Sequence, residues 1–114
     1  MKNHILDRLY DVLQQRKSQI GGTSYVSSLY EGGTDKIAGK ILEEAQELII
    51  EAKALDVSPH EKELQGKIRS EAADLLFHFM VLLAHHNVAP DDIFEILEKR
   101  FGTSGHTEKA NRSV

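Results

Sequence analysis

The sequence contains no cysteine. It therefore has no disulfide and no thiolate site, in keeping with a reducing, cytoplasmic setting. It has no excess of positive charge: 18 acidic residues face 14 basic ones, for a net charge of -4. That argues against a nucleic-acid partner, whose binder carries a basic face. It does not exclude a phosphate-rich small substrate, because a bound metal reverses the local charge. Long apolar runs are also missing. The opening MKNHILDRLYDVLQQRK carries charges throughout and does not read as a signal peptide. The most apolar run, Ala72 to Ala84, is too short to span a membrane and holds Asp74 and His78 near its start. There is no internal repeat, no low-complexity segment and no convincing strand pattern. What remains is 114 residues, 40% hydrophobic and 28% charged, the composition of one globular domain. A chain of this size can bury a core, and an apolar dimer interface would help it.

Helical periodicity recurs along the chain. Ile5, Leu6, Leu9, Val12 and Leu13 predict a first helix over about residues 2–19, ended by Gly21-Gly22. TSYVSSLYEGG, residues 23–33, is polar, β-branched and glycine-bounded, and reads as a loop with a short extended piece. Thr34 is placed to cap a second helix reaching about Leu55, with Ile37, Ile41, Ala45, Leu48 and Ala52 as its apolar stripe. Ser58, Pro59 and Glu61 have the pattern of a capping box opening a third helix that runs to about His86. Pro90 opens a fourth, with Asp91 and Asp92 at its N-terminus and Lys99 and Arg100 at its C-terminus. The class is all-α: residues 1–101 as the domain, 102–114 as a polar tail.

The chemistry lies in carboxylates. Glu44 and Glu47 are three apart on the second helix, with Glu43 beside them; Glu71 and Asp74 are three apart on the third. Like charges at this spacing repel on a helix. Two such pairs on neighbouring helices can point four carboxylates at one spot, a hard oxygen donor set suited to Mg²⁺ or Mn²⁺. Taken alone, EExxE is ordinarily a solvated charged face. Asp74 is harder to dismiss, because Ala72, Ala73, Leu75, Leu76 and Phe77 surround it in a helix apolar almost all the way round, a pattern that predicts burial. It is either a metal ligand or an ion-pair partner of Lys40 or Arg69. His78, one turn on, either joins the site or is a hydrogen-bonded core residue; His85 and His86 are exposed or cap the last carbonyls. Lys36 and Lys40, four apart, and Lys109 and Arg112 in the tail are candidate phosphate contacts or ordinary surface cations.

DKIAGKILEEAQE (Asp35–Glu47), EAADLLFHFMVLLA (Glu71–Ala84) and SGHTEKANRS (Ser104–Ser113) together resemble the phosphoribosyl-ATP pyrophosphatase family. The paired carboxylate motifs by themselves indicate only the wider MazG-like all-α pyrophosphatases; the DKIAxK lead-in and the SGxxEKAxRS tail narrow the resemblance. Asn111 stands where the family often has Ser, and Ala89 where a capping Ser is usual. The resemblance implies a four-helix MazG-like bundle forming an intertwined homodimer. It also implies Mg²⁺-dependent cleavage of 1-(5-phospho-β-D-ribosyl)-ATP to the corresponding AMP derivative and pyrophosphate. By matched position, Glu44, Glu47, Glu71 and Asp74 would hold the metal, with Mn²⁺ able to substitute, and Glu43 would support a ligand or a bound water. No fused neighbouring enzyme of the pathway is visible in the sequence. Two other readings are kept: a house-cleaning nucleoside triphosphate pyrophosphatase, which does not share the tail, and a non-enzymatic helical dimerisation module, which Asp74 in its apolar setting argues against.

Overall fold

The computed structural model describes residues 4–19 and 24–102, and among these there are helices and no strands. In chain order the helices are α1 (Ile5–Lys17), α2 (Tyr25–Val57), α3 (Lys62–His85) and α4 (Pro90–Phe101). The all-α expectation holds. The glycine pair expected to end α1 and most of the tail lie outside the described residues.

The segment expected to be a loop is helical. Ser24 caps α2, its hydroxyl accepting the Ser27 backbone N–H at 3.1 Å. Val26, Leu29 and Tyr30 then follow at helical spacing, and the first two are buried. What breaks the helix is Gly33, with φ 75° and ψ -168°, a backbone region only glycine occupies freely. The contacts on either side define the break. Tyr25 meets His78, Tyr30 stacks on His85 and Thr34 meets His86, so residues 25–32 run in the same sense as α3. Beyond Gly33 the chain returns antiparallel to α3, bringing Glu44 beside Glu71. The second helix thus restarts near Thr34 as its stripe predicts, but Thr34 is no N-cap: its hydroxyl lies 3.0 Å from His86 Nε2.

The core occupies one end of this arrangement. Leu13 of α1, Val26, Leu29 and Ile37 of α2, and Met80, Val81 and Ala84 of α3 are its buried apolar residues. Two polar devices fasten α1 there. Tyr30 donates its hydroxyl to the Leu13 carbonyl at 2.9 Å, and burial pushes that hydroxyl's pKa up to about 12, with Tyr10 adding to it. Lys17 Nζ donates to the Ala84 carbonyl at 2.8 Å and to Asn87 Oδ1 at 2.7 Å, a cation placed where the α3 dipole ends. The sequence left His85 and His86 exposed or capping: His86 is exposed, His85 stacks on Tyr30, and Asn87 turns the chain with φ 59°. α4 leaves α3 at a bend of 110°. Ala89 at its N-cap makes no side-chain cap bond.

The other end of the α2–α3 hairpin is different. Between residues 38 and 77 the only buried residue is Glu44. Leu42 is 70% exposed and Ile50 57%, and Leu76 and Phe79 are exposed too. The expected capping box does not form: α3 begins at Lys62 with Glu61 at the cap and no side-chain bond to it, while the Pro59 carbonyl accepts from Gln65 Nε2 at 2.9 Å. The turn therefore takes one tighter step before helix geometry resumes.

Gly33→Ala isolates the cost of the reversal. A Cβ at Gly33 would meet nothing within 4 Å, so the loss is backbone strain alone, of order 1–3 kcal/mol. Denaturant unfolding at fixed m-value should show it as a lower midpoint.

Candidate active site

The α2–α3 hairpin brings three carboxylates together. One oxygen each from Glu44, Glu47 and Glu71 lies within 4.8 Å of the others. Glu44 is 7% exposed, and its Oε1 has no hydrogen-bond partner among the described residues. Burial pushes the Glu44 carboxyl above its ordinary pKa, Asp74 adds to that, and Glu47 adds less. Glu71 is raised as well, by desolvation first and then by Glu47 and Glu44. Three anionic oxygens converging around a buried, unsatisfied one is an arrangement that a divalent cation would relieve: it would neutralise the repulsion and give the orphaned oxygen a partner. The donor set is all carboxylate, which fits Mg²⁺ or Mn²⁺ better than a soft metal.

Asp74 departs from expectation. Its side chain is exposed in the single chain, not buried, because Ala72, Ala73 and Leu76 around it are exposed too. It is outside the tight group of three but near enough to raise both Glu44 and Glu71. The ion pair considered for it with Lys40 does not form. Lys40 Nζ bonds Glu43 Oε1 at 2.8 Å, which holds the Glu43 carboxyl below its usual range. Glu43 is thus turned to Lys40 at the rim. Lys36 is exposed, its stem lying across Gly32. Lys109 and Arg112 lie outside the described residues.

His78, left open by the sequence, is buried one turn from Asp74, and its ring bonds that residue's backbone carbonyl at 2.8 Å. Tyr25 was missed altogether. Its signal was the Val26, Leu29, Tyr30 period, masked by the glycines that follow.

The sequence profile of the phosphoribosyl-ATP pyrophosphohydrolase family matches residues 6–101, which include both carboxylate pairs. The chain belongs to this family. Among its relatives, the phosphoribosyl-ATP pyrophosphatase of Geobacter sulfurreducens is 45% identical over 98% of this chain and 96% of its own length. That of Hydrogenovibrio crunogenus is 47% identical over 99% and 96%, and that of Methylococcus capsulatus 47% over 96% and 97%. A family defined by a pyrophosphohydrolase is consistent with the acidic cluster, since an enzyme that handles a polyanion with carboxylates requires a cation between them.

The raised carboxyls set a pH dependence for metal-free protein. With the Glu44 pKa higher folded than unfolded, the folded state holds more protons across that window, and stability falls as pH rises through it. Glu44→Gln has no such penalty. In chelator it should melt higher than wild type at pH 8, and the difference should shrink as pH falls to the ordinary carboxylate range. Adding Mg²⁺ at pH 8 should reverse the order, since only wild type gains from the cation. Calorimetry in chelator and in Mg²⁺ at both pH values reads all three effects.

Proposed function

We propose that this chain hydrolyses 1-(5-phospho-β-D-ribosyl)-ATP to 1-(5-phospho-β-D-ribosyl)-AMP and pyrophosphate, the second step of histidine biosynthesis, in the cytoplasm. The observation that carries the reading is the convergence of Glu44, Glu47 and Glu71 around a buried, unsatisfied oxygen in a chain of this family. These three would hold Mg²⁺, with Asp74 as a further ligand from the next turn of α3 and Mn²⁺ able to substitute. When bound, the cation supplies neutralisation of the pyrophosphate leaving group and acidifies water for attack at the α-phosphorus. The chain's own groups do the rest. Glu44, buried, fixes the position of the site; Glu43 holds Lys40 at its rim, where that ammonium and Lys36 can meet phosphate oxygens; Lys109 and Arg112 bring two more cations from the tail.

The working unit in this reading is a homodimer. The radius of gyration is 17.1 Å, against about 13 Å for a compact chain of this length. The excess comes from a hairpin whose outer half buries no apolar residue of its own. An apolar groove of about 430 Å³ runs there between Ile41 and Leu48 of α2 and Ala72, Leu75, Leu76 and Phe79 of α3. A second copy laid against it would cover the groove.

Purified protein should release pyrophosphate from phosphoribosyl-ATP in Mg²⁺, far faster than from a panel of nucleoside triphosphates, and not in chelator. Asp74→Asn should lower the rate about a hundredfold or more, because metal assistance is worth several kcal/mol. Its melting temperature in chelator should hold or rise, since one of the crowded charges is gone. A large drop in melting temperature with activity intact would make Asp74 a structural ion-pair residue instead.

Sedimentation at micromolar concentration should give the mass of two chains. Leu76→Glu and Phe79→Glu change exposed groove residues of the single chain, so they should leave the helix content intact and shift the mass toward one chain. Unchanged association in both variants would place the interface elsewhere.

A further inference from the structure

Tyr25 and His78 stand beside the carboxylates with no part in the chemistry above. His78 is 6% exposed. Its Nδ1 lies 2.8 Å from the backbone carbonyl oxygen of Asp74. A carbonyl only accepts, so Nδ1 carries the hydrogen. In the neutral ring Nε2 is then an acceptor, and it lies 2.6 Å from the Tyr25 hydroxyl. Tyr25 therefore donates its hydrogen to His78. The two rings meet edge to face, 5.7 Å between centroids and 88° between planes, and the Phe77 ring stands at 89° to the imidazole on another side. The imidazole is fixed by two hydrogen bonds and two rings. It also bridges two elements, joining Tyr25 of α2 to the Asp74 carbonyl of α3.

Tyr25 is held differently: it is 49% exposed. With its one hydrogen given to His78, its oxygen offers only lone pairs to whatever stands in front of it. With His78 Nδ1 on the Asp74 backbone carbonyl and Nε2 on the Tyr25 hydroxyl, the pair stands one turn along α3 from Asp74. A phosphate oxygen, itself an acceptor, gains nothing there. A group carrying O–H does.

We propose that Tyr25 is a substrate-site residue, an acceptor-only hydroxyl that takes a hydrogen bond from an O–H donor beside the carboxylates, and that His78 is the positioning residue that fixes it in that role. The donor is either a sugar hydroxyl of the nucleotide or a water in the carboxylate site. This rests on the reading of the Glu44–Glu47–Glu71 group as the reaction site. It divides the labour along the rim: phosphates go to the Lys40 side, hydroxyls to the Tyr25 side.

The test compares wild type with Tyr25→Phe, His78→Leu, His78→Gln and the Tyr25→Phe/His78→Leu double variant. Pyrophosphate release is measured in Mg²⁺, and Mn²⁺ affinity by electron paramagnetic resonance without substrate. Tyr25→Phe should lower kcat/KM about tenfold or more. A raised KM with unchanged Mn²⁺ affinity identifies the sugar hydroxyl as the donor. A lowered kcat with Mn²⁺ bound several-fold more weakly identifies the water. His78→Gln keeps a donor for the Asp74 carbonyl and an acceptor for Tyr25, and should retain most of the activity that His78→Leu loses. The double variant should be no worse than Tyr25→Phe, because both changes remove one device. Strictly additive losses would overturn the positioning role. Wild type that releases no pyrophosphate would refute the activity proposed above. An active wild type with Tyr25→Phe matching it in kcat, KM and Mn²⁺ affinity would refute the role of Tyr25 alone.

Discussion

Mutual repulsion of carboxylates is the constraint around which the hairpin is organised. Glu44 and Glu47 on one helix and Glu71 and Asp74 on the next each carry like charges one turn apart, and packing the helices together adds repulsion across the pair. Nothing local favours this. The stabilisation comes from elsewhere in the same two helices. Ile37 lies on the limb of α2 that leads to Glu44, and Met80, Val81 and Ala84 lie on the part of α3 that follows Asp74. Their burial fixes the register of the hairpin, and the carboxylates are carried into place by continuous helix. Side chains carried on helices are held more closely in place than side chains on loops.

The same core explains why the reversal at Gly33 matters beyond topology. It lets one continuous stretch of chain line α3 twice, once in each direction. The outgoing limb delivers Tyr25 and Tyr30 to His78 and His85, seven residues and about 10 Å apart along α3. The returning limb delivers Lys40, Glu43 and Glu44 to the same side as His78. A single dihedral exception therefore sets an aromatic–imidazole edge against a carboxylate edge. α1 closes the far end, with Gln14 and Lys17 both bonded to the carbonyl of Ala84 where α3 stops.

The sequence made parts of this legible and hid others for definite reasons. The returning limb of α2, α3 and α4 could be read because each has a sustained apolar period or terminal charges that suit its dipole. The carboxylate pairs could be read because their i, i+3 spacing is local. Residues 25–32 could not: the helix there is barely two turns and ends in Gly32-Gly33, so its period is too short to outweigh its glycines. Ser58, Pro59 and Glu61 matched a capping pattern, but the pattern carries no information about which residue the turn leaves in helical geometry. The Tyr25–His78 bond joins residues 53 apart, and no local spacing encodes such a pair.

Asp74 shows most clearly where composition and structure part. An all-round apolar helix predicts burial, and in the single chain the side chain is exposed. Both statements hold if the apolarity answers to a partner rather than to this chain's own core. Ala72, Ala73, Leu76 and Phe79 are exposed on the stretch of α3 that carries Asp74, and all but Ala73 line the groove on the half of the hairpin that buries only Glu44. At about 100° per residue Glu71, Asp74 and His78 form one row of α3, and Ala72, Leu75, Leu76 and Phe79 form another about a third of a turn round. A cover placed on the groove would therefore bury apolar surface and leave the carboxylate row open on its other side.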